Sequence, residues 1–126
     1  MIRFLLITFL LVSSVFASIE FEKDYNKAVK KAKVDNKPLF IMVSSVTCPE
    51  CNYMKKHVFT QEDVSNCINK NYVAVDFDIN DENIPKQMQF WGIPRFYVSN
   101  DGENVLKKKM GGMKKDQFLD FTLKDK

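Results

Sequence analysis

The stretch Leu39 to Cys51, LFIMVSSVTCPEC, constrains the fold of this chain more than any other. Leu39 to Val43 is a continuous apolar run, bounded by Pro38 before it and Ser44-Ser45 after it. A run that short reads as a strand buried on both faces, as in a sheet covered by helices on each side. Thr47-Cys48-Pro49-Glu50-Cys51 follows and leads into Asn52 to Val58, which reads as a helix. Strand, C-x-x-C and helix thus stand in direct succession.

The rest of the chain supplies matching elements. In Phe21 to Val34, Phe21, Tyr25, Ala28, Val29 and Ala32 recur at helical spacing with lysines opposite, predicting an amphipathic helix. Thr60 with Gln61, Glu62 and Asp63 reads as a capped helix start, with Val64, Cys67 and Ile68 as the inner face. Tyr72 to Asp78 predicts a second strand, Asp81 to Phe90 a short helix and Arg95 to Ser99 a third strand. Asn100-Asp101-Gly102 reads as a hairpin turn. Glu103 to Met110 then returns as a fourth strand, and Met113 to Leu123 forms a final helix packed through Met113, Phe118, Leu119 and Phe121. The predicted class is α/β, a mixed four-stranded sheet with helices on both faces.

Residues 1–17 read as a leader rather than as part of that fold. Arg3 opens it, Phe4 to Val12 is almost wholly apolar, and Val15 and Ala17 are the small residues of a cleavage site. The apolar run falls short of the roughly 20 residues a membrane helix needs, so an uncleaved anchor is the weaker reading. No Cys lies near the cut, which excludes a lipoprotein anchor. Cleavage leaves residues 18–126, the size of one domain. The formal net charge of +3 is no footprint for nucleic acid, and Lys107-Lys108-Lys109 and Lys114-Lys115 read as a solvated face. A C-terminal KDEL-type signal is absent, so a bacterial periplasm is the expected location.

The chain has three cysteines, Cys48, Cys51 and Cys67, so a wholly paired structural framework is impossible. The C-x-x-C loop is too small to restrict the unfolded chain much, so its disulfide has little stapling value. The spacing favours redox function over stapling. A strand delivers Cys48 to the sheet's edge, where a helix N-terminus offers unpaired N–H groups and a positive dipole end. Such surroundings take a cysteine from a pKa of roughly 8.5 into a window of roughly 3.5–7.5, which makes Cys48 the expected nucleophile. Cys51, one turn in, is the expected resolving thiol. Pro49 suits the first helical turn. Glu50 sets a negative charge beside the sulfurs, which opposes the thiolate and makes the pair more reducing, weakly so if it points into water.

With Gly92-Ile93-Pro94 about forty residues further on, this arrangement resembles the thioredoxin superfamily. It is similar in particular to exported thioredoxin-like proteins such as the C-terminal periplasmic domains of DsbD-type thiol:disulfide interchange proteins. The shared residues include Asn36-Lys37-Pro38, Cys48 to Cys51, Met54 to Val64, Asn71 to Asp78, Gly92 to Pro94, Asp101-Gly102 and Gly111-Gly112. The resemblance implies a thioredoxin fold, a cis Ile93–Pro94 bond facing the cysteines, and substrate pairing along Ile93 and Pro94. It also implies departures. Thr47 stands where the family has Trp, Met42 where thioredoxins bury an Asp, and Arg95 where Thr follows the cis-proline. Arg95 either supports the thiolate, contacts substrate or is solvated.

The remaining candidates carry blander readings. Trp91 either lines the substrate groove with Thr47 or packs in the core. His57, the only histidine, reads as an exposed helical residue, and Cys67 as a small buried hydrophobe. The expected function is an exported disulfide reductase of protein substrates. It would be a monomer, without metal and with no cofactor beyond the Cys48–Cys51 disulfide, supplied with electrons by a membrane partner. An isomerase or oxidant is the alternative. A Cu(I)-binding module on the same thiols and a client-binding module with incidental cysteines stand behind it.

Overall fold

The computed structural model describes residues 17–89 and 92–124. Among them runs one sheet of five strands in the order β1-β3-β2-β4-β5. The elements are β1 (Phe21–Glu22), α1 (Tyr25–Asp35), β2 (Leu39–Ser44), α2 (Pro49–Tyr53), α3 (Glu62–Asn71), β3 (Val73–Asp78), β4 (Arg95–Ser99), β5 (Val105–Met110) and α4 (Lys115–Leu123). α2 continues without a break into a π-helical turn, Met54–Val58. β1 and β2 run parallel to β3, while β4 is antiparallel to β2 and β5 to β4. This is the thioredoxin fold, with one strand more than the sequence predicts.

The extra strand comes from residues read as the start of a helix. Phe21 pairs with Ala74 and Glu22 with Val75. The helix begins only at Tyr25, because the Asp24 carboxylate accepts from the Lys27 N–H and caps it. Asn36, in the left-handed region at φ 52°, ends it.

Side chains of β2 alternate between two cores. Phe40 and Met42 join Ala74, Phe96 and Val98 beneath α2, α3 and α4, together with Met54, Val58, Phe59, Ile68 and Phe118. Leu39, Ile41 and Val43 join Val73, Val75, Phe77 and Tyr97 beneath Ala28 and Ala32 of α1. All six residues of β2 are buried, the signature of a strand enclosed on both faces.

Three local expectations give way. Over Asp81 to Phe90 the described residues hold a single 3₁₀ turn, Lys86–Met88. Pro85 lacks an N–H and biases Ile84 away from helical geometry, so a longer helix cannot form through it; Phe90 lies outside the described residues. Thr60 does not cap α3, because its hydroxyl donates backward to Lys56 O at 2.7 Å. Gln61 takes the cap position without a side-chain bond to the helix, although Glu62 and Asp63 do stand in the first turn. Cys67 is half-buried rather than core, leaving Val64, Ser65 and Ile68 as the inner face of α3.

Candidate active site

β2 ends at Ser44, and four residues on, at Cys48, the chain turns into α2. Cys48 is the N-cap of that helix and Pro49 its first residue. The Cys51 N–H donates to Cys48 Sγ at 3.2 Å, so the sulfur occupies the place of a capping oxygen. The two cysteines are joined as a disulfide, with Cα atoms 5.2 Å apart. Their environments differ. Cys51 is 0% exposed, in the core cluster with Met42 and Met54, whereas Cys48 is partly buried at its margin.

The loop before Cys48 is braced from within. Cys48 N–H donates to Ser45 O at 3.2 Å, and the Asn52 side-chain amide donates to Val46 O at 3.1 Å. The Ser45 and Thr47 hydroxyls lie 3.1 Å apart. This bracing holds Thr47 in solvent and leaves Val46 80% exposed. Sequence reasoning missed Val46 and Asn52. An apolar residue two before a surface cysteine is a signal it had available.

Register brings the Ile93–Pro94 segment to the same end of the sheet. Arg95, the first residue of β4, pairs with Val43, so Pro94 stands level with the close of β2. The Ile93–Pro94 bond is cis. Ile93 packs against the same core cluster as Cys48. Trp91, the remaining groove candidate, lies outside the described residues.

Glu50 does not simply point into water. Its Oε2 accepts from the Gly112 N–H at 3.1 Å. Arg95 is neither solvated nor turned toward the sulfurs. It is 4% exposed, donating through Nε to Met88 O at 3.0 Å and through Nη1 to Gly92 O at 3.2 Å. Alternation explains this: Phe96 belongs to the core under the cysteines, so Arg95 faces the other core.

Met42 fills its position as an apolar residue, 0% exposed. Its register partner Asp76 supplies a carboxylate on this face instead. Asp76 accepts from the Ser44 hydroxyl at 2.8 Å and pairs with Lys55 at 2.7 Å. His57 is exposed, its ring 5.5 Å from that of Tyr53. The Cys67 carbonyl accepts from the Asn71 amide at 2.8 Å. Among the described residues, no three His, Cys, Asp or Glu side chains converge as a metal site.

A cysteine pair spanning the N-cap of a helix at the end of a parallel β-strand, in this fold, defines the class of thioredoxin-type thiol–disulfide oxidoreductases. The chain belongs to the thioredoxin-like domain family, whose family model matches residues 25–124. Its fold is similar to that of a putative disulphide-isomerase from Bacteroides thetaiotaomicron (TM-score 0.74, 21% identity, 90% of this chain and 99% of that one). It is also similar to the DsbD C-terminal domain of Neisseria meningitidis in its oxidised form (TM-score 0.66, 19% identity, 85% and 100%). A 52-residue stretch is 38% identical to spermatogenesis-associated protein 20 of Rattus norvegicus, covering 41% of this chain but only 7% of that protein.

Proposed function

We propose that the chain is an exported disulfide reductase of protein clients, with Cys48 as nucleophile and Cys51 as resolving thiol. The observation that carries this reading is the unequal burial of the bonded pair: Cys48 is partly exposed and Cys51 is fully enclosed. In the reduced chain, the Cys48 thiolate attacks one sulfur of a client disulfide. A mixed disulfide forms, and the client's other sulfur leaves as a thiolate and takes up a proton. Cys51 then loses its proton to solvent and attacks Cys48 Sγ. The Cys48–Cys51 disulfide forms, and the second client sulfur leaves and is protonated. Two electrons have passed to the client, and a membrane-held dithiol donor restores the pair by the reverse exchange. No further cofactor enters.

Ile93 and Pro94 form the wall along which the client backbone pairs, and Thr47 borders it. Reduction rather than oxidation is favoured by the charges around the pair. Glu50 sets a carboxylate in the motif, and the Arg95 cation is held on the opposite face. The sequence resemblance to exported DsbD-type domains supports reduction outside the cytoplasm, and a DsbD C-terminal domain shares the fold. Likeness to a putative disulphide-isomerase supports isomerisation as the second reading. No helix of the described residues is long and apolar enough to cross a membrane. Export rests on residues 1–17, and a periplasmic chain beginning at Ser18 would establish it.

Cys48→Ser is expected to abolish reduction of insulin disulfides, and Cys51→Ser to accumulate a mixed disulfide that dithiothreitol releases. Full activity in Cys48→Ser would end the proposal. Equilibration against glutathione separates the two readings. A potential near roughly −270 mV or below marks a reductase, and one near roughly −180 mV an isomerase.

A further inference from the structure

Three successive backbone N–H groups leave the end of β5 and each finds a partner on a different part of the site. Gly111 N–H donates to Pro94 O at 2.8 Å. Gly112 N–H donates to Glu50 Oε2 at 3.1 Å, across 62 residues of chain. Met113 N–H donates to Met54 Sδ at 3.2 Å. The loop is itself anchored to the sheet, since Met110 pairs with Arg95 at the head of β4. One short segment therefore ties the Ile93–Pro94 wall to the helix that carries the cysteines. Gly111, at φ +90°, gives the backbone the turn it needs there.

Of these ties, only the one through Glu50 reaches the motif itself. Cys51 anchors the inner side of this first turn in the core, but Pro49 and Glu50 are exposed, so the bond from Glu50 to Gly112 is what ties its outer side across to the β5 loop. We propose that Glu50 is a positioning residue: through Gly112 it sets the gap between the Cys48 helix and the Pro94 wall. It thereby selects for polypeptide disulfides, which must fit that gap, over small ones, which need not. This rests on the oxidoreductase reading above. It assigns Glu50 a role that follows from its acceptor oxygen rather than from its charge near the sulfurs. A carboxylate accepting from an N–H makes a strong bond, and a glutamine oxygen in the same place still accepts. Misplacement of a reacting group by about 1 Å can cost on the order of a hundredfold in rate, so loss of such a tie is readable.

The test is single-turnover oxidation of the pre-reduced full chain, mixed with oxidised insulin or with glutathione disulfide, thiols being counted after acid quench. Glu50→Ala is expected to react with insulin about tenfold more slowly than Glu50→Gln, which lacks the same charge, and with glutathione disulfide within about twofold of it. Glu50→Gln is expected to recover most of the insulin rate. Amide exchange at Gly112 should rise in Glu50→Ala and not in Glu50→Gln, with the β2 amides unchanged in both. Equal loss on both disulfides, a Gln variant as slow as Ala, or an Ala variant as fast as the parent on insulin would each overturn the inference while the oxidoreductase reading stands. A parent chain oxidised by neither disulfide would sink that reading, and this one with it.

Discussion

Arg95 shows how one side chain's meaning depends on the face it takes. A guanidinium beside the cysteines would stabilise a thiolate; on the opposite face it organises backbone. Arg95 Nε and the Tyr97 hydroxyl both donate to Met88 O at 3.0 Å, and Arg95 Nη1 reaches Gly92 O. These bonds pin the approach to Ile93–Pro94. Arg95→Leu is expected to destabilise the fold by about 1–3 kcal/mol, because buried carbonyls lose donors. Arg95→Lys keeps a charge but not the planar fork, and should recover only part of the loss. Urea unfolding midpoints of the three proteins check this ordering. Chemistry at the cysteines was legible because each cue is local: a buried run, a C-x-x-C and a helix start lie within thirteen residues. The roles of Arg95 and Glu50 were not, since their partners are remote or on the other face.

At the scale of elements, turns and caps moved the boundaries that hydrophobic period alone suggests. β5 begins at Val105 rather than Glu103 because the Asp101 carboxylate gathers the N–H groups of Glu103 at 2.8 Å and Asn104 at 2.7 Å. The Asn104 side-chain amide adds a third bond at 2.6 Å. These donors hold the Asp101 carboxyl well below the usual carboxylate range, the Asn104 backbone bond contributing most. Folding therefore lowers this group's affinity for protons. Its contribution is complete above the ordinary carboxylate value and drains away as pH falls below it. Asp101→Asn should flatten the decline of the thermal midpoint below about pH 4 while leaving the neutral-pH slope alone. Melting curves from pH 2.5 to 7, as a measurement series, read this directly. The same turn holds Gly102 at φ +81°, where an added Cβ would overlap the Tyr25 hydroxyl that donates to Gly102 O at 2.7 Å. The glycine is thus required by a close approach as well as by its backbone angle.

For the whole molecule, the aromatic core beneath the cysteines joins elements far apart in sequence. Phe40, 0% exposed and the second residue of β2, stacks on Phe96 at 5.9 Å and meets Phe118 edge-on at 5.5 Å. It also lies edge-on to Phe59 and Tyr72. Phe59 in turn touches Phe21 of β1 and Phe118 of α4. Phe40→Ala should cost about 3–5 kcal/mol, a large share of the roughly 5–15 kcal/mol that holds such a domain together. Phe40→Leu should cost far less, and denaturant titration distinguishes the two. By itself the sequence determined the buried strand, the motif after it, the amphipathic helices and the hairpin. Each of these follows from periodicity, capping and turn chemistry within a few residues. Tertiary structure alone decided that Phe21-Glu22 adds a fifth strand, that Glu50 reaches Gly112 and that Arg95 faces away from the sulfurs. A two-residue strand has no pattern of its own, and a polar side chain takes its partner from whatever the fold brings within hydrogen-bond reach.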